Sequence, residues 1–215
     1  MSPPVVSPPV VTEERHPFHW LPNALTTFRI FAVPGLVAGI LLTAYIERVG
    51  WLVPWRATLA LLILCMASDF FDGWFARRWN LVSGYGRMLD PIADKLLVAG
   101  CLIALCIVVR GTPLVLVPAL VIVGRDIMVS GAREHAALSA RVMSPTKLAK
   151  WKTTFEFLAI AVLIVWVAAQ GWLPVGDAVP SLRSGLWAVG LALLWLAAAL
   201  SAWTGAGYLR QALSD

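Results

Sequence analysis

The sequence predicts an all-α integral membrane protein, a bundle of six transmembrane helices with both termini cytoplasmic. Three observations lead there. Hydrophobic residues fill 60% of the 215 positions, charged residues only 13%, and mean hydropathy is +0.80, too apolar for a soluble domain. The apolar residues are gathered into six long stretches separated by short polar connections. Lysines and arginines, finally, are distributed unequally between alternate connections, as the positive-inside rule requires of a spanning protein.

Taken in order, residues 1–16 carry prolines at positions 3, 4, 8 and 9 without a helical period and read as a disordered, Pro-rich N-terminal extension. They lack the basic start and apolar run of a signal peptide. Residues 17–212 form the membrane domain. The first span is expected from Pro22 to about Tyr45, with Trp20 at the interface. The second runs from about Leu52 to Arg77, with Trp51, Trp55 and Trp79 near its ends. The third covers Leu89 to Val109 and the fourth Pro113 to Arg133. A fifth, Thr154 to Trp172, follows Trp151, and a sixth runs from Ser184 to Tyr208. With a cytoplasmic amino terminus, thirteen lysines and arginines face inward and only Arg48, Arg56, Arg110 and Arg183 face outward. Cys65, Cys101 and Cys106 fall inside apolar runs, which implies buried thiols rather than a disulfide framework or a zinc site. A net charge of +5 is accounted for by these topogenic residues, and nucleic acid is not an expected partner.

Four aspartates break the apolar pattern. Asp69 and Asp72 are three residues apart, Asp90 and Asp94 four apart, so each pair shares one face of its helix. An aspartate at mid-bilayer costs roughly 2.5 to 3.5 kcal/mol on insertion scales, so the group requires neutralisation. Hard oxygen donors without a His or Cys neighbour favour Mg²⁺, Mn²⁺ or Ca²⁺ over zinc, and Mg²⁺ in particular is usually held by a few carboxylates completed by substrate phosphate. The competing reading pairs Asp72 with Arg77, and Asp94 with Lys95 or Arg87, as structural ion pairs. Gly73 and Ala76, on the Asp72 side, permit close approach of a backbone or a diphosphate, and Gly86 begins a stripe with Asp90 and Asp94. Asp69 lies roughly 12 Å below the cytoplasmic end of its helix, at about 1.5 Å per residue, placing the acids in a cytoplasm-facing pocket within the membrane.

The spacing D-x2-D-G-x2-A-R-x8-G-x3-D-x3-D, from Asp69 to Asp94, resembles the signature of the CDP-alcohol phosphotransferases at all eight fixed positions. The first span adds Asn23, Thr26 and Arg29 at helical spacing near a helix start, where backbone N–H groups favour an anion, and this P-N-x2-T-x2-R pattern is also similar to the family's. At the end of the fourth span, Arg125 and Arg133 stand two turns apart with Ser130 between them, a phosphate receptor in type. The competing use of Arg125 is an ion pair with Asp126 or Glu134. The R-[DE]-x3-S-x2-R-E run, with Lys150 and Lys152 opening the fifth span, resembles the phosphatidylglycerophosphate synthase branch of the family, although many of its members have Glu where Asp126 stands. The likeness extends over Pro22 to Leu163; the sixth span carries no recognised motif.

The resemblance implies an enzyme of the bacterial inner membrane that transfers the phosphatidyl group of CDP-diacylglycerol to glycerol 3-phosphate. It implies metal on Asp69, Asp72, Asp90 and Asp94, with Asp94 also the general base. Asn23, Thr26, Arg29, Gly73, Ala76, Arg77 and Gly86 would bind the donor. Arg125, Ser130, Arg133, Lys150 and Lys152 would bind the acceptor's phosphate. The active site would face the cytoplasm, acyl chains would remain among membrane lipid, and a homodimer is expected by resemblance. The alternatives are a relative using inositol phosphate, serine or phosphatidylglycerol as acceptor, and a small ion-coupled transporter.

Overall fold

A computed structural model describes residues 20–45, 53–78, 84–138, 147–172 and 179–213. They form six α-helices: α1 (Leu21–Tyr45), α2 (Val53–Arg78), α3 (Gly84–Val108), α4 (Pro113–Leu138), α5 (Lys147–Trp172) and α6 (Val179–Leu213). The N-terminal extension lies outside the described residues. Each expected span has its helix, but α3 begins five residues before Leu89, α4 runs five beyond Arg133, α5 begins seven before Thr154, and α6 extends five residues beyond each end of the expected sixth span. Lysine and arginine are good helix formers, so a helix can continue where its hydrophobic run stops.

Five of the helices are long and apolar enough to cross a membrane, over Asn23–Tyr45, Met88–Val108, Pro113–Glu134, Trp151–Gln170 and Ser181–Tyr208. The length and composition are those of an integral membrane protein. The exception is α2, whose last ten residues include Asp69, Asp72, Arg77 and Arg78. The helix richest in expected site residues is therefore the one least suited to lipid on composition alone.

The core is a continuous apolar cluster drawn from all six helices, including Leu36 and Ile40 of α1, Leu62 of α2, Leu97 and Leu105 of α3, Ile122 of α4, Ile160 and Leu163 of α5, and Leu194 of α6. Helix α1 packs along both α2 and α3, whereas among the described residues no Cα of α2 comes within 8 Å of α3. Gly39 sets the first of these contacts, because a Cβ there would collide with the Thr58 side chain of α2. On the other side, α6 packs along α5 and α4, and α5 touches α1, α2 and α3 from the middle. Arg183 of α6 covers the end of α5, donating to the carbonyls of Ala169 at 2.9 Å and Gln170 at 3.3 Å.

The turn from α3 to α4 closes by a Schellman motif. The Gly111 N–H donates to the Cys106 carbonyl at 2.7 Å and the Arg110 N–H to that of Ile107 at 3.0 Å. Two successive residues hold left-handed conformations, Gly111 with φ of 68° and Arg110 with φ of 54°, the latter a position where glycine is the unstrained choice. Arg110→Gly is therefore expected to stabilise the folded protein by up to about 1 kcal/mol, read as a higher unfolding temperature in detergent. A lower one would mean that the arginine side chain contributes more than its backbone costs.

Candidate active site

Consecutive helices run in opposite directions, so the start of α1, the end of α2, the start of α3, the end of α4, the start of α5 and the end of α6 meet at one end of the bundle. The polar side chains that bond across helices are concentrated there, in two clusters.

The first cluster is acidic and is centred on α1. Arg29 is fully buried, and its Nη1 lies 2.6 Å from Asp69 Oδ1 of α2, in closer contact still with Asp94 Oδ1 of α3, while Nη2 is 3.7 Å from Asp90 Oδ1. One turn earlier the buried Thr26 hydroxyl donates to Asp90 Oδ1 at 2.5 Å. A guanidinium without solvent costs several kcal/mol unless it is paired on several sides, and three carboxylates surround this one. Asp69, Asp90 and Asp94 thus come together around Arg29, from helices with no Cα within 8 Å of one another among the described residues, with α1 standing between them. Arg29, expected on the donor's diphosphate, holds the acids.

Three carboxylates against one guanidinium leave the described part of this cluster with a formal charge of two negative. Their side chains are 47%, 46% and 52% exposed, so each keeps oxygens toward solvent. The donor set is all hard oxygen, which suits magnesium. Among the described residues no three acids are arranged as a ready-made metal cage, because Arg29 occupies the centre. The residues fit a divalent cation in chemistry and charge, on condition that the carboxylates turn from Arg29 toward it.

Asp72, Gly73, Ala76 and Arg77 follow Asp69 along α2, but their side chains lie outside the described residues. Gly86 is buried one turn before Asp90, and Pro91, between the two acids of α3, has no N–H to give the helix. Asn23 sits in the first turn of α1, where its carbonyl accepts from the Thr27 hydroxyl at 2.8 Å.

The second cluster is built on α4, α5 and α6. Arg125 donates to Asp126 Oδ1 and to Thr204 Oγ1, each at 3.0 Å, so the ion pair that competed with phosphate binding in the sequence is present. Its buried Nε has no acceptor among the described residues. Lys152 is buried between Asp126 at 2.5 Å and Glu156 at 2.9 Å, and Glu156 accepts from Ser201 at 3.3 Å. Arg133 donates to the Tyr208 hydroxyl at 3.0 Å. The Lys150 side chain lies outside the described residues. Lys95, next to Asp94, donates to the Ser130 hydroxyl and so ties the acidic cluster to the basic one.

Glu156, Ser201, Thr204 and Tyr208 were not singled out from the sequence. A signal for three of them is there: Ser201, Thr204 and Tyr208, with Gly205, follow a 3-1-3 spacing that marks one face of an otherwise apolar helix.

A family model described as CDP-alcohol phosphatidyltransferase matches residues 19–203. A CDP-diacylglycerol–glycerol-3-phosphate 3-phosphatidyltransferase of Cereibacter sphaeroides is 38% identical, over 90% of this chain and 95% of the relative. One from Rickettsia bellii is also 38% identical, over 88% and 93%. A cardiolipin synthase (CMP-forming) of Oryza sativa is 35% identical over 89% of this chain and 56% of its own length. With the acid-bearing stretch, the arginines of α4 and most of α6 inside the matched range, the chain belongs to the CDP-alcohol phosphatidyltransferase family.

Proposed function

We propose that this protein transfers the phosphatidyl group of CDP-diacylglycerol to glycerol 3-phosphate, giving phosphatidylglycerol phosphate and CMP. The reading is carried by the juxtaposition of an acidic and a basic cluster at one end of the bundle, linked by Lys95 and Ser130. The relatives from Cereibacter and Rickettsia, similar over nearly their full length, support the acceptor.

In this reading Asp69, Asp72, Asp90 and Asp94 would hold one or two Mg²⁺ ions, whose charge would offset that of the diphosphate and make its phosphorus more electrophilic. Asn23, Thr26 and Arg77 align the donor, with Gly73, Ala76 and Gly86 leaving it room, while Arg29 holds the acids. Asp94 takes the proton of the acceptor hydroxyl as that oxygen bonds to the phosphorus bearing diacylglycerol, and the bond from this phosphorus to the bridging oxygen breaks to release CMP. Arg125, Ser130 and Arg133, with Lys150, receive the acceptor's phosphate, while Lys152 stays on Asp126 and Glu156. All six helices span the bacterial inner membrane, α2 included, because Asp69 faces Arg29 rather than lipid. Both termini and the site face the cytoplasm, as the thirteen-to-four distribution of lysine and arginine favours, and the protein works as a homodimer.

Measuring CMP release from CDP-diacylglycerol with glycerol 3-phosphate, inositol phosphate, serine and phosphatidylglycerol, with and without Mg²⁺, tests the reading. Metal-dependent release with glycerol 3-phosphate is expected. Release driven by phosphatidylglycerol instead would move the protein toward the rice relative's activity, and no release with any acceptor would leave a transporter. Arg125→Ala is expected to raise the KM for glycerol 3-phosphate about tenfold or more, the worth of one charge-assisted contact, with the donor's KM nearly unchanged. Unaltered acceptor kinetics would remove Arg125 from the acceptor site.

A further inference from the structure

The sixth helix carries no motif, yet it ends against both arginines of α4. Tyr208 is 4% exposed, and its ring lies 5.7 Å from the Arg125 guanidinium carbon and 5.0 Å from that of Arg133. Its hydroxyl accepts from Arg133 Nη2 at 3.0 Å. One turn earlier the buried Thr204 hydroxyl accepts from Arg125 Nη2 at 3.0 Å while giving its own proton to the Leu200 carbonyl at 2.8 Å, which fixes its orientation. Between them Gly205 brings α6 so close that a Cβ would meet Arg125 Cγ at 2.7 Å, near the stem of the side chain where little can yield.

These contacts gather two like charges on one aromatic ring. The negative face of the ring offsets part of their repulsion, but a pair of guanidinium groups held in common is an arrangement for an anion with several oxygens to share. Asp126 answers to Arg125 and also to Lys152, so it does not neutralise both arginines.

We propose that Tyr208 is a positioning residue for the acceptor, holding Arg125 and Arg133 at the separation that one phosphate group bridges, with Thr204 and Gly205 fixing the Arg125 side. This rests on the acceptor reading given above. It assigns to α6 a part in acceptor recognition that touches no substrate itself. The ring acts on both arginines and the hydroxyl on Arg133 alone, so the two contributions separate by mutation.

The test is the KM for glycerol 3-phosphate and for CDP-diacylglycerol in wild type, Tyr208→Phe and Tyr208→Ala, each purified in detergent with Mg²⁺ present. Loss of one hydrogen bond to a charged group predicts a rise in acceptor KM of roughly threefold in Tyr208→Phe, and loss of ring and hydroxyl together predicts about tenfold in Tyr208→Ala. The donor's KM stays within about twofold in both, which a merely structural role at the core of α4 and α6 would not produce. If Tyr208→Ala does not fold, Tyr208→Phe decides alone. No rise in acceptor KM in any variant that folds, or an equal rise in donor KM, overturns the proposal. Should wild type release CMP with a different acceptor, the acceptor reading falls separately, and the same split is then read on that acceptor: selective loss keeps Tyr208 in its role, and no selective loss removes it.

Discussion

Asp94→Asn is expected to lose turnover by roughly a hundredfold to ten-thousandfold, the usual worth of a general base, while keeping metal-dependent binding of CDP-diacylglycerol. Asp69→Asn is expected to lose both. The comparison is informative because the two carboxylates have the same structural partner, both with Oδ1 on Nη1 of Arg29. If pairing with that guanidinium were all they did, the two amides would behave alike, each leaving a buried arginine with one fewer counter-charge. A difference in donor binding must then come from what the acids do with metal and substrate. On the proposed assignment Asp69 belongs to the diphosphate side, and Asp94 combines metal ligation with reach toward the acceptor through its neighbour Lys95, which bonds Ser130 of α4. Equilibrium binding of CDP-diacylglycerol with and without Mg²⁺, beside CMP release, separates the outcomes. Equal loss of binding in the two variants would contradict the division of labour.

What the sequence makes legible here is what lies along one helix. Spacings of three and four put Asp69 with Asp72 and Asp90 with Asp94, and three-residue spacing put Thr26 with Arg29; the structure brings Asp69, Asp90 and Asp94 to Thr26 and Arg29. Which helix stands between which is a different kind of information. Periodicity does not say that α1 separates α2 from α3, so it could not assign Arg29 to the acids rather than to a ligand. Lys152 is a similar case. A lysine just inside a span reads as topogenic or phosphate-binding, and only the tertiary placement of Asp126 and Glu156 shows it committed to two carboxylates. In α6 the small and hydroxylated residues on one face were visible, but small residues also serve ordinary helix packing in membranes. Contact with Arg125 and Arg133 distinguishes the two uses.

Arg29→Ala should reveal how the acids are tolerated without metal. Arg29 has no solvent exposure, and its loss leaves Asp69, Asp90 and Asp94 facing one another around the space it filled. Breaking a fully buried ion pair costs about 3 to 5 kcal/mol; because these carboxylates are half exposed, water screens part of the repulsion and about 2 kcal/mol is the expected loss of stability in metal-free solution. A ligand that binds only the folded state adds stability in proportion to its affinity, and removal of a competing positive charge from the centre of the acids raises that affinity for Mg²⁺. The rise in unfolding temperature on adding Mg²⁺ should therefore be larger in Arg29→Ala than in wild type, recovering most of what the substitution removed. Arg29→Lys should fall between, since an ammonium keeps the charge but lacks the planar fork that reaches two helices at once. If the substitution lowers the unfolding temperature equally with and without Mg²⁺, arginine and metal do not share the acids. Arg29 would then be a packing element of α1, and the place where these carboxylates meet it would no longer be the candidate metal centre.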